Sequence, residues 1–374
     1  MKHPRLGLIG CGVITQRILG GLRAILEDEG AQITAACDLD PEKTEAVAEA
    51  LDKELLQTSS MDVLLEANDV DAVLIATPIA LHLDQVSRAL QAGKHVYTHK
   101  TLADTSEKCL ELGDLARERR LKLAASPGQV LLPAYARARE LIEGGALGVT
   151  VGIDISAEAA AHRFEEERAD EDPGPGQAFS WEWYHQVERG GGPLQDMLVY
   201  PLAFLTEVLG EATSAAIIGR LLEPEIRWKG RVISASALDA YAGVLRFGNL
   251  PVTVRSSFSS NAARLPWGFV LIRGTEACLE IEKMNDREYR LYLRPNHGEA
   301  STEMLNAWDT KTAARYGDRE CHVLTDIREF VRAIQEDRPI AGATASNAAR
   351  VADAIVMMKT SAAAAGAWTY QEEV

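Results

Sequence analysis

Short apolar runs and helical periods alternate from Leu6 to about Ala125, an order that builds a parallel sheet. The alternation predicts strands at 5–9, 32–37, 72–76, 95–98 and 121–125. Helices are expected between them, at about 13–28, 42–51, 80–92 and 105–119. In the third helix Leu83, Val86 and Leu90 share one face, and Gly93 supplies the C-terminal stop. This is the βαβαβ pattern of a doubly wound α/β half.

The texture changes beyond Pro127. A helix near 133–143 ends at Gly144-Gly145, and strand-like runs follow at 149–156, 213–220, 232–238, 241–247, 251–258, 268–274, 277–282 and 289–293. Several alternate apolar with polar residues between turn signals such as Phe247-Gly248-Asn249, as in an antiparallel sheet with one covered face. Helical segments at 322–335 and 344–365 close the chain. The expected architecture is a dinucleotide-type domain over 1–126 and an α+β domain with a large open, mostly antiparallel sheet over 127–374. Between them in character stands Glu158 to Gln177, where acidic triplets precede Pro173-Gly174-Pro175-Gly176. Its charge and Pro/Gly density predict a solvated loop, either plain surface or a lid over an active site.

Composition narrows the possible partners. With 374 residues, 47% of them hydrophobic, the chain can bury a sizeable core. Its formal charge of −16 repels nucleic acid phosphates and anionic headgroups, so neither nucleic acid nor membrane is an expected partner. The cysteines (Cys11, Cys37, Cys109, Cys278, Cys321) are scattered without a C-x-x-C spacing, which argues against a disulfide framework or structural zinc and for a reducing cytoplasm. The N-terminus places basic residues before an apolar run, but Gly7, Gly10 and Gly12 break that run and no cleavage site follows, so a signal peptide is not expected.

Gly10-Cys11-Gly12 follows an apolar strand and opens a helix beginning Val13-Ile14, the context in which a glycine pair cradles a pyrophosphate. Gly10 permits the tight turn and Gly12 the close backbone approach; Thr15 occupies the third glycine's place. Asp38, 26 residues after Gly12, ends the second strand. A carboxylate there accepts from ribose hydroxyls and repels a 2′-phosphate, which favours NAD over NADP, although Asp38 also reads as an ordinary strand-end residue. Ala76-Thr77-Pro78 ends another strand at the edge where such sheets bind ligands. His82 and His99 stand close by in sequence and complete the expected cofactor-binding set with Lys100, although His82 reads equally as a helix-start histidine without such a role.

Taken together, the motifs resemble the GFO/IDH/MocA family over nearly the whole chain. Four blocks carry the likeness: Gly7-Leu8-Ile9-Gly10-Cys11-Gly12; Ala76-Thr77-Pro78 with His82 and Ala92-Gly93-Lys94-His95-Val96; Ile142-Glu143-Gly144-Gly145-Ala146-Leu147-Gly148; and Gly190-Gly191-Gly192-Pro193-Leu194-Gln195-Asp196. The resemblance implies an N-terminal Rossmann domain, NAD chemistry on sugar-like or cyclitol-like alcohols, and pairing into dimers or tetramers through the open sheet face. The family's Glu-Lys-Pro falls here on His99-Lys100-Thr101, which keeps only the lysine. Its acid/base histidine falls on Tyr200, as in the branch that resembles glucose-fructose oxidoreductase and dihydrodiol dehydrogenase.

Oxidising an alcohol requires one group to take the hydroxyl proton while the carbon gives up a hydride. Lys100 and Tyr200 are the candidate proton shuttle and oxygen holder; the roles are not separable from sequence, since both residue types titrate near 10 unless shifted. Asp196 precedes Tyr200 by four residues and shares its face if the segment is helical, where it orients substrate or Lys100, or simply complements the helix start. Trp181, Trp183 and Tyr184 suit a polyhydroxylated ligand or a core edge equally. No metal-ligand pattern is present, so no metal is expected. The rival readings are an NAD-using glycoside hydrolase of the same fold, a non-catalytic dinucleotide or sugar sensor, and NAD-independent binding.

Overall fold

The computed structural model describes residues 3–158, 184–228, 231–259 and 268–371. They form two compact units: the first combines the chain up to Gly128 with Trp308–Ala349, and the second takes the described residues from Gln129 to Ala307 and from Arg350 onward.

The first unit carries a six-stranded parallel sheet, built from β1 (Arg5–Ile9), β2 (Gln32–Cys37), β3 (Leu56–Thr58), β4 (Ala72–Ile75), β5 (His95–Thr98) and β6 (Leu123–Ala125). Its order, β3-β2-β1-β4-β5-β6, reverses direction at β1 and β4, the switch point of a doubly wound fold. The connecting helices are α1 (Val13–Asp28), α2 (Pro41–Leu51), α3 (Met61–Glu66), α4 (His82–Gln91) and α5 (Ser106–Glu118). β4 is buried along its whole length, which explains its unbroken apolar run Ala-Val-Leu-Ile. The sequence pattern missed β3 and α3. β3 spans three residues with none fully buried, so it carries no apolar signature.

The second unit is led by α6 (Pro133–Glu143) and β7 (Thr150–Glu158). A π-helical stretch, Leu194–Leu198, runs into α7 (Val199–Leu209). The strands β8 (Ser214–Arg220), β9 (Glu225–Trp228), β10 (Arg231–Ser234), β11 (Ala240–Phe247), β12 (Leu250–Ser257), β13 (Phe269–Gly274), β14 (Ala277–Lys283), β15 (Glu288–Pro295) and β16 (Ser301–Asn306) follow. Nine strands make one sheet in the order β16-β15-β14-β13-β7-β12-β11-β8-β17, closed by β17 (Thr369–Tyr370); β9 and β10 form a separate hairpin. β7 pairs parallel with β12, and the other pairs in the nine-stranded sheet are antiparallel.

Alternation sorts the two faces of this sheet. Ile153, Ile155, Val252, Val254, Val270 and Ile272 are buried in the core, while their neighbours Asp154, Thr253, Arg255 and Leu271 point the other way. On the covered side Tyr135 of α6 is 1% exposed and packs tilted against Phe204 of α7 and edge-on to Tyr289 of β15, with ring centroids 5.0 and 5.9 Å away. The strand expected at 232–238 stops at Ser234 because the amides of Ser236 and Ala237 turn to the His185 carbonyl.

Trp308–Ala349 returns to the first unit, which the sequence expectation of a single boundary at 126/127 did not include. Its helices α8 (Thr310–Tyr316) and α9 (Cys321–Gln335) cover α1. The approach is close: a Cβ on Gly21 would lie 2.3 Å from the Tyr316 carbonyl oxygen and 2.6 Å from Leu324 Cδ1. At the end of α1, Glu29 accepts from Arg328 at 2.7 Å and Arg332 at 3.0 Å, and Asp28 accepts from Tyr316 at 2.7 Å. α10 (Ala345–Ala363) closes the helical complement.

Asp326 of α9 holds the exit from β6. Buried at 1% exposure, it accepts from Ser126 Oγ at 2.8 Å and from Gly128 N at 3.1 Å, on either side of the cis Ser126–Pro127 bond. Burial pushes its carboxyl up to about 7 against the opposing pull of those donors. Since the folded pKa lies above an unfolded value of about 3.9, the stability that protonated Asp326 contributes is full below about pH 4 and is lost as pH rises through about 7. Asp326→Asn keeps an acceptor oxygen and cannot ionise. Urea unfolding at about pH 5 and pH 8 should show a flatter pH dependence in that variant than in wild type.

Candidate functional site

The β1–α1 turn is shaped by contact with the end of β4. Gly10 takes φ +89°, and a Cβ there would lie 2.9 Å from the Ala76 carbonyl carbon and oxygen and from Thr77 Cγ2. Only glycine fits both the angle and the space. Gly12, the N-cap of α1, is the opposite case: its φ is −76° and a Cβ would meet no protein atom within 4 Å. The space above Gly12 is therefore open on the side where a pyrophosphate approaches a helix N-terminus. No side chain caps α1 and its first turn holds no acidic residue, so none of the helix's own side chains offsets its dipole on that side. Val13 and Ile14 follow, half-buried. Thr15, 2% exposed, donates from Oγ1 to the Gly10 carbonyl at 2.6 Å, so the missing third glycine is replaced by a side chain that braces the turn.

Asp38 at the end of β2 is locked to this turn. Its Oδ2 accepts from Cys11 N at 2.8 Å, its Oδ1 from Asp40 N at 3.0 Å, and Lys43 Nζ lies 3.7 Å from Oδ1. A bare strand-end role does not require the bond to Cys11. Cys11 itself is fully buried and burial pushes its thiol to about 12, leaving an inert side chain.

At the carboxyl ends of β4 and β5 lie Thr77, Pro78, His99, Lys100 and Thr101. Thr98 to Thr101 are all buried, Lys100 at 7% exposure, and the peptide between Lys100 and Thr101 is cis. Burial and then the neighbouring Lys100 charge hold His99 well below the usual imidazole range, so it stands neutral beside the lysine. His99 Nε2 and Thr101 Oγ1 are buried and make no hydrogen bond among the described residues. Orphaned polar atoms on both sides of Lys100 fit a segment that completes its contacts with a bound group. His82, expected to touch the cofactor, has no exposed surface; Nδ1 lies 2.7 Å from the Thr101 carbonyl and Nε2 2.8 Å from that of Thr77. Its place is beneath the edge, not on it.

In the second unit the glycine run sets up a different surface. Gly192, at φ +108°, donates to the Tyr184 carbonyl at 2.9 Å and turns the chain into the π stretch. From Gly191 to Thr206 every residue is buried except Asp196 and Tyr200, which are half-buried. Four positions apart on continuous helical backbone, the two share one accessible strip. Gln195, 5% exposed, accepts from Lys359 of α10 at 2.6 Å. Sequence reading had no signal for that pair, which α10 brings in from far along the chain. Tyr184 is half-buried against the core, whereas Trp181, Trp183 and all of the expected loop beyond Glu158 lie outside the described residues. Among the described residues no cluster of metal-ligating side chains occurs, and no helix is long and apolar enough to cross a membrane.

Two family models match the chain. One, described as an oxidoreductase family with an NAD-binding Rossmann fold, covers residues 4–126, and the other, the GFO/IDH/MocA C-terminal domain, covers 135–280. The chain belongs to the GFO/IDH/MocA family. It is 35% identical over 210 residues to a dTDP-3,4-didehydro-2,6-dideoxy-alpha-D-glucose 3-reductase from Streptomyces violaceoruber, a match spanning 56% of each protein. An inositol 2-dehydrogenase from Rhizobium meliloti is 22% identical over 346 residues, 90% of each chain. Among solved structures, a levoglucosan dehydrogenase in complex with NADH has the same fold, with a TM-score of 0.80 at 20% identity over the full length of both chains.

Gly12→Ala separates cofactor space from folding space. Stability should stay within about 1 kcal/mol of wild type, because the added methyl meets no protein atom. Affinity for NADH, read by calorimetric titration, should fall by at least about tenfold.

Proposed function

We propose that this family member is an NAD-dependent dehydrogenase or reductase that moves a hydride between the cofactor and a secondary hydroxyl or ketone carbon of a sugar, amino sugar or cyclitol. The observation that carries the reading is the open space over Gly12 at an uncapped helix start, with the Asp38 carboxylate anchored one residue away on Cys11 N. Gly10, Gly12, Val13 and Ile14 would hold the pyrophosphate region and Asp38 the adenosine ribose. Ala76, Thr77, Pro78, His99 and Lys100 would line the nicotinamide half. Asp38 favours NAD: its charge opposes a 2′-phosphate, with Asp40 and Glu42 adding to the effect and Lys43 offsetting part of it. When bound, the nicotinamide supplies the hydride acceptor or donor.

The chain's own residues handle the proton and the substrate's hydroxyls. Lys100 and Tyr200 divide the work between them, one moving the hydroxyl proton and the other holding the oxygen. Asp196, on the same accessible strip as Tyr200, accepts from substrate hydroxyls. Tyr184, with Trp181 and Trp183, would meet the ring. The names of the relatives, a keto-sugar reductase and a cyclitol dehydrogenase, support both the substrate class and either direction. We further propose a cytoplasmic homodimer or homotetramer that pairs through the outer sheet face, where Ile218 and Met304 are 61% and 47% exposed.

The test follows absorbance of reduced cofactor with NAD and NADP, using wild type and Lys100→Ala, against a panel of inositols, aldoses, amino sugars and levoglucosan. The expected outcome is NADH formation with at least one member and a loss of kcat on the order of a hundredfold or more in the variant. NAD binding without reduction of any panel member would instead favour an NAD-using glycoside hydrolase or a sensor. Asp38→Ala should narrow the preference for NAD over NADP by on the order of tenfold, read as the ratio of kcat/KM values.

A further inference from the structure

His82 is a buried titratable group at the carboxyl edge that the roles above leave unused. The ladder between β4 and β5 ends where His99 N donates to the Ile75 carbonyl at 2.9 Å. Past that bond the two backbones diverge, one into Thr77-Pro78 and the other into Lys100-Thr101. The His82 ring links them, with Nδ1 2.7 Å from the Thr101 carbonyl and Nε2 2.8 Å from the Thr77 carbonyl. It does so from the first residue of α4, with no exposed surface.

Both partners are acceptors, whereas a neutral imidazole carries a single N–H. Holding both carbonyls at once takes the second N–H of the protonated ring, which the two carbonyls favour and which burial and the Lys100 charge oppose. An apolar side chain at this position offers no donor to either carbonyl. The ring's position is thus set by the two strand ends, and theirs by the ring.

We propose that His82 is a positioning residue for the nicotinamide half of the cofactor: by tying Thr77 to Thr101 it fixes both strand-end backbones, and Lys100 with them, without touching the ligand. The inference rests on the dinucleotide reading above. It predicts an effect confined to one half of the cofactor, because Gly12 and Asp38 hold the other half through contacts that His82 does not make.

NADH and ADP-ribose divide the two halves, since ADP-ribose lacks the nicotinamide. Each is titrated calorimetrically into the full-length wild type, His82→Leu, His82→Asn and His82→Gln. His82→Leu should bind NADH on the order of tenfold more weakly and ADP-ribose within about twofold of wild type. The glutamine amide carries two donors and should recover most of the NADH affinity. If the leucine variant does not fold, His82→Asn replaces it, its shorter amide reaching one carbonyl and giving the same selective loss. Equal weakening of both ligands, or no change in either, would overturn the proposal. Wild type that binds neither ligand would instead sink the dinucleotide reading itself.

Discussion

The turn from β1 into α1 presses Gly10 against the backbone of Ala76 and Thr77, so closely that a single methyl group has no room. That contact ties the first strand of the sheet to the fourth at the point where the strand order reverses. The remaining features of the first unit's edge depend on it. Cys11 N can reach Asp38 only because the turn is this tight, and α1 starts where Gly12 leaves open space only because Gly10 has already changed the chain's direction. Thr15 then braces the arrangement with its hydroxyl.

The strands of the doubly wound half were legible because each is buried on both faces and so appears as an apolar run, as in Ala72–Ile75. The second sheet was legible for the opposite reason, its one covered face imposing alternation on β12 and β14. What failed to show were elements too short to carry a period. β3, α3 and the seven-residue α8 have local signals no stronger than those of a turn. The return of Trp308–Ala349 was also invisible, since which sheet a helix covers is decided by its partners' surfaces and not by its own pattern.

The candidate site divides in the same way. The glycine pair and Asp38 carry backbone requirements that sequence expresses directly. Asp196 and Tyr200 were placed on a common face by spacing, and their incomplete burial inside an otherwise buried stretch adds what spacing lacked. His82 was expected at the cofactor because a histidine at a helix start beside Thr77 looks the same in sequence whether it faces a ligand or a pair of buried carbonyls. The replacement of the family's glutamate by His99 gains its meaning only from depth: at 9% exposure beside Lys100, burial and the lysine's charge keep the imidazole neutral where a glutamate would carry a charge.

The return of the chain to the first unit also bears on how this protein is made. The side of α1 that packs on α8 and α9 has no partner until the ribosome has passed Gln335, long after the six strands have emerged. The nascent first unit therefore spends most of translation with an apolar helix face and the carboxylates of Asp28 and Glu29 uncovered, and every strand of the second sheet but β17 is synthesised in the interval. Folding order and synthesis order are consequently different in this chain.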